Sequence, residues 1–159
     1  MTVKSDHDKA LREHIRYLLL GGGAHIDFRK AVDSFPPAMM NSKIGNLPYT
    51  PWQVLEHMRI AQWDILEFSR NGQHISPEFP KGYWPSSTSK ADEAAWKKTV
   101  ESFLFDLSQV EELIMSPATD LFARIPHGDG QTILREALLI ADHNAYHLGA
   151  LMTMKKMKS

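Results

Sequence analysis

The chain contains no cysteine among its 159 residues. That excludes disulfides, thiolate metal ligands and a cysteine nucleophile. Any thiol chemistry must therefore bring its thiol from a second molecule. No stretch approaches the ~18 consecutive apolar residues of a membrane span. The opening Met1-Thr2-Val3-Lys4-Ser5-Asp6 lacks the apolar core of a secretion signal. The expected location is the cytoplasm, with no membrane partner. Formal net charge is −1 and no basic block occurs, which argues against nucleic acid as a partner. Several catalytic signatures are missing too. There is no HExxH, so a zinc protease of that kind has no support. No Glu-x-x-His occurs, which removes the ferritin-like di-iron bundle. There is no P-loop, no GxGxxG and no nucleophile elbow.

Helical periodicity fills what remains. A first helix is predicted over about residues 6–20, with Ser5 as N-cap and Asp8 at its third position. Gly21-Gly22-Gly23 should stop it. A shorter helix over about 24–34 ends before Pro36-Pro37. Thr50-Pro51-Trp52-Gln53 is a strong helix start, with a threonine cap, proline at the first position and glutamine at the third. That helix should reach Arg70 and stop at Asn71-Gly72. Residues 73–88 hold three prolines and a glycine and read as loop. Ser89 can cap a helix over about 90–115, and Asp129 can cap the last, from Gly130 to near the C-terminus. No alternating strand and no internal repeat is visible. The predicted class is all-α: one domain over 1–159, an antiparallel four-helix bundle with an additional N-terminal helix and two long loops.

The last helix carries Asp142-His143-Asn144-Ala145-Tyr146-His147. Histidines four apart on a helix differ by about 40° in azimuth and about 6 Å in height. They can reach one ion from one face. They lie away from the polar stripe of Arg135, Asp142, Thr153 and Lys156, among Ile133, Ala137, Leu139, Ile140 and Leu151. His57 flanks the apolar face of the Pro51 helix, made by Val54, Leu55, Met58, Ala61, Ile65 and Phe68. Three histidines on two helices would leave part of a coordination sphere open, the mark of a reactive metal. Metal-bound imidazoles commonly donate their far N–H to a carboxylate or carbonyl. Asp64 and Glu136, each two turns from a histidine, are the candidates for that contact. The remaining histidines, His7, His14, His25, His74 and His127, share no evident geometry. Trp52, Ile60 and Trp63 form an apolar shoulder among charges, readable as a half-buried flank or as a homodimer interface. Tyr83-Trp84-Pro85 either braces the long loop or walls a pocket, and Tyr146 is a further wall candidate.

Four stretches carry a family resemblance: residues 50–64 (Thr50 through Asp64), Tyr83-Trp84-Pro85, Gln131-Thr132-Ile133-Leu134-Arg135-Glu136 and Asp142 through Gly149. Together they resemble the DinB-like (DinB/YfiT-like) superfamily of small metal-binding four-helix bundles. The resemblance spans essentially the whole chain. It implies three histidine ligands at His57, His143 and His147, and one divalent ion per chain, zinc or nickel foremost. A glutamine common in the family after Gly149 is here Ala150. The resemblance also implies a homodimer. It implies an enzyme that transfers a low-molecular-weight thiol of the bacillithiol kind to an electrophilic small molecule. A metal-dependent hydrolase, or a metal-binding protein without turnover, are the alternatives. The absence of cysteine suits a thiol that arrives as cosubstrate.

Overall fold

A computed structural model describes residues 3–157. Its regular structure is α1 (Val3–Leu20), α2 (Phe28–Asp33), α3 (Pro51–Arg70), α4 (Glu93–Met115) and α5 (Ile133–Met157), with 3-10 turns at Pro37–Met39 and Lys81–Tyr83. No strand occurs among the described residues, only an isolated bridge between Arg124 and Thr132. The all-α class expected from periodicity is what the chain adopts. α3 packs on both α4 and α5, α1 packs on the same two helices, and the short α2 rests on α5.

The apolar stripes meet in one core. Leu55, Met58 and Leu66 of α3 are essentially inaccessible, as are Phe103 and Ile114 of α4 and Ile140 and Leu151 of α5. Each such side chain contributes roughly 1.5–3 kcal/mol by leaving water. Phe28 of α2 stacks on Phe103 at 3.9 Å, and Phe35 stacks on Trp96 at 5.1 Å. Arg12 of α1 is buried and gathers the end of α4. Its guanidinium donates to the carbonyls of Ile114, Ser116 and Thr119 at 2.5, 3.0 and 2.8 Å, and pairs with Asp8 at 2.7 Å. A cation at a helix C-terminus both satisfies loose carbonyls and opposes the helix dipole.

The Thr50 capping box forms as predicted. Gln53 N–H donates to Thr50 Oγ1 at 3.3 Å and Thr50 N–H to Gln53 Oε1 at 2.9 Å. The other helix starts shift. α1 begins at Val3, so Ser5 is inside the helix and is not its cap. α2 begins only at Phe28, where Asp27 caps it by accepting from Lys30 N–H at 2.9 Å. α4 is capped by Asp92, not Ser89. Asn41 grips Ala91 by both its N–H and its carbonyl, which holds that residue extended and delays the helix. α5 starts at Ile133, not Gly130. Thr132 is engaged in the bridge with Arg124, and its hydroxyl accepts from Arg135 N–H at 3.2 Å. The connection over residues 116–132 is thus a third long loop, beside 34–50 and 71–92. Gly21, at φ 67°, takes the left-handed turn that closes α1.

Candidate metal centre and its cavity

Three residues on one stripe of α3 catch the loop 71–92. Gln53, four before His57, donates to the carbonyls of Ser86 and Ser87 at 3.1 and 3.2 Å. His57 meets the Tyr83 carbonyl through Nδ1 at 2.8 Å. Asp64 accepts from the Tyr83 hydroxyl at 2.6 Å and bonds His74 Nε2 at 2.8 Å. Offsets of four and eleven residues return to nearly the same helix azimuth. The flank beside the apolar face is therefore the rail that seats the loop.

The seated loop fixes His57. A carbonyl can only accept, so Nδ1 of His57 carries the proton and Nε2 presents its lone pair. That lone pair faces α5. His57 Nε2 lies 3.0 Å from His143 Nε2 and 3.2 Å from His147 Nε2. Ligand atoms of all three fall within 4.8 Å of one another, with His57 buried and the other two half-buried. Trp84 lies flat on His57 at 3.8 Å, and Tyr49 stacks on the same indole at 3.6 Å.

The donor set fits a divalent cation. Metal–nitrogen bonds of about 2.0–2.1 Å place adjacent ligands about 2.9 Å apart at right angles and about 3.4 Å apart in a tetrahedron. The two separations, 3.0 and 3.2 Å, fall in that interval. Without a cation, two imidazoles compete for the single lone pair of His57. Burial, with the neighbouring His57, pushes His143 down to about 4; burial, with His143 and His57 beside it, pushes His147 down to about 3. Burial also lowers His57. All three are neutral at pH 7, the form that binds a metal.

A cavity of about 340 Å³ opens beside the histidines, and His57 and His143 form part of its wall. Ala61, Ile65 and Phe68 of α3 and Leu139 of α5 line it. The seated loop adds Ser76, Phe79, Tyr83 and Trp84, the loop 116–132 adds Gln131, and the start of α5 adds Arg135 and Glu136. Part of the α3 stripe that reads as core in the sequence is therefore cavity wall.

The structure places the sequence candidates unevenly. Tyr83 and Trp84 stand on the wall. Tyr146 does not: it is 73% exposed and meets His147 edge-on from outside the cavity. Asp64 does not bond His57 directly, because the Tyr83 carbonyl takes that place and the carboxylate holds Tyr83 by its hydroxyl. Glu136 likewise bonds no histidine; its carboxylate accepts from Arg135 at 2.7 Å and faces the cavity. Tyr83 is pushed up to about 12 by burial and by Asp64, so its phenol is a donor and not a base at neutral pH. His74, which matched no pattern in the sequence, is buried against Asp64 and Trp63. No sequence pattern marks Phe79, which lines the cavity, or Tyr49, which stacks on Trp84. Only the adjacency of Tyr49 to the Thr50 cap signals its place. His127 binds the Phe68 carbonyl at 2.7 Å and ties the loop 116–132 to α3, while His7 and His14 are exposed.

The family model of the DinB superfamily matches residues 24–151. That span includes all three histidines and every cavity residue named above. No curated protein and no solved structure matches the chain. Among the described residues, no helix is long and apolar enough to cross a membrane.

Proposed function

The chain belongs to the DinB superfamily, and from that premise we propose that it is a divalent-metal-dependent enzyme transferring a low-molecular-weight thiol to an electrophilic small molecule. The observation that carries the reading is the convergence of three Nε2 atoms at the edge of an apolar cavity. A divalent ion on three neutral imidazoles keeps its positive charge and lowers the pKa of a bound thiol or water. The chain's own residues do the rest. Tyr83 holds His57 in one tautomer and one orientation. Trp84 covers the His57 ring and keeps water from that face. Ile65, Phe68 and Leu139 give an apolar electrophile a dry wall against which to lie.

One ion per chain, zinc or nickel, is part of this proposal, as is a cytoplasmic location. So is a homodimer through Trp52, Ile60 and Trp63. These three are half-buried on α3, and Trp52 Nε1 is enclosed without a hydrogen-bond partner. Light scattering at tens of micromolar, roughly the range where weak association shows, would reveal a monomer if the interface reading fails.

The test is a metal analysis of protein purified without a histidine tag, followed by assays of thiols with electrophiles. Thiol-dependent consumption of the electrophile, abolished by chelation, supports the transferase. Hydrolysis without thiol would replace it with a hydrolase. Stoichiometric metal with no turnover would leave a binding protein. Trp84→Ala should weaken substrate binding while metal content holds near one ion per chain; weakened folding alone would make the loop a brace.

A further inference from the structure

We propose that the cavity contains a subsite for a primary ammonium group, received by Glu136. Glu136 is 3% exposed and lines the cavity one turn into α5. Its Oε1 accepts a single bond from Arg135 Nη1 at 2.7 Å. Among the described residues, no protein donor reaches Oε2. The Arg135 side chain is 57% exposed, so much of its charge stays in water and offsets the carboxylate only in part. Among the described residues the enclosed polar atoms without a partner are Trp52 Nε1 and Asn144 Oδ1; Glu136 Oε2 is instead open to the cavity, where a ligand donor can take the place of water.

The other carboxylate on the wall is not available. Both oxygens of Asp64 are engaged, by His74 and by Tyr83. Glu136 is therefore the acceptor left open to a ligand. A cation suits the surroundings better than a neutral donor. The wall carries two carboxylates, Asp64 and Glu136, against one guanidinium, Arg135. A ligand carboxylate would meet like charge at Glu136. Phe68, Phe79 and Tyr83 supply aromatic rings whose faces attract cations. Hydrogen bonds between charged partners are shorter and stronger than neutral ones. The cavity volume, about 340 Å³, lies at the small end of ligand sites. The ligand class is accordingly a small amine with an apolar body of about one ring.

None of the subsite's atoms belongs to the histidines, so the subsite stands without the metal. It rests on the proposed function only for the far end of the ligand. Because His57 and His143 share this cavity, an amine anchored at Glu136 would present its other end to them.

The test titrates 2-phenylethylamine, 2-phenylethanol and 3-phenylpropionate into the metal-free and the zinc-loaded protein, followed by tryptophan fluorescence and ligand NMR. The amine should bind about tenfold more tightly than the alcohol in both forms, the ratio between a charge-assisted and a neutral hydrogen bond. Glu136→Gln should erase that preference. Arg135→Gln, a change at an exposed side chain, should preserve or strengthen amine binding. Arg135→Gln decides the matter if Glu136→Gln does not fold. The proposal is overturned if the amine binds no better than the alcohol, if the propionate binds best, or if Arg135→Gln abolishes amine binding. Amine preference in a protein that takes up no metal would uphold the subsite and remove the proposed metal chemistry.

Discussion

Arg12 and the histidine cluster are both buried polar groups, and they differ in what satisfies them. The Arg12 guanidinium finds three carbonyls and a carboxylate within the chain. Its hydrogen-bonding capacity is met by the fold itself. The three imidazoles instead face one another, with two neighbours competing for one lone pair. A satisfied buried cluster fastens helices together. An unsatisfied one of matched chemistry points to a ligand from outside. The same distinction separates Asp64, engaged on both oxygens, from Glu136, engaged on one.

The largest effect is expected at the histidines. His143→Ala should reduce bound divalent metal from about one ion per chain to none, with helicity retained. Unchanged metal content would remove His143 from the site. The mirror experiment is Arg12→Ala. It should lower unfolding free energy in urea by about 3 kcal/mol, as loss of a buried charged partner does, while metal content stays the same. A loss below about 1 kcal/mol would place Arg12 among the surface pairs.

A subtler difference concerns Asp64, which reaches His57 only through Tyr83. Asp64→Asn and Tyr83→Phe should each weaken metal affinity about tenfold, measured by competition with a chelator. Full affinity in both variants would show that the loop needs no latch. Acid should separate the two clusters as well. His143 and His147 lie near 4 and 3 when folded against 6.5 unfolded. Between those values the unfolded chain binds more protons, so stability falls as pH falls. The metal-free protein should therefore lose stability on going from pH 6.5 toward 4, and His147→Ala should flatten that slope. An equally steep slope in the variant would assign the acid sensitivity elsewhere. The smallest effect is expected from chelation at neutral pH. Circular dichroism should change little, since the core of Leu55, Met58, Phe103 and Ile140 includes none of the three histidines.

The helix boundaries show where local reading holds. Thr50 and Gln53 define the start of α3 because both partners of the capping box lie within four residues. Ser89 and Asp129 are equally good caps on paper, yet neither is used. Asn41, fifty residues from Ala91, and Arg124, across the bridge from Thr132, hold those segments extended. A cap is a local contact and is outcompeted by a distant one that the periodicity does not encode.

Local periodicity is enough for the all-helical class, the i, i+4 pairing of His143 and His147, and the inward flank that carries His57. Each follows from the 3.6-residue repeat, which fixes azimuth along a single helix. Packing of α3 against α5 is what brings the three Nε2 atoms together. It alone made the Tyr83 carbonyl, not a carboxylate, the partner of His57, turned Tyr146 outward, and placed Glu136 on the cavity wall with one oxygen open. Those outcomes depend on how two helices and a loop pack against each other. Packing is set by contacts between residues far apart in the chain, about which helical periodicity is silent.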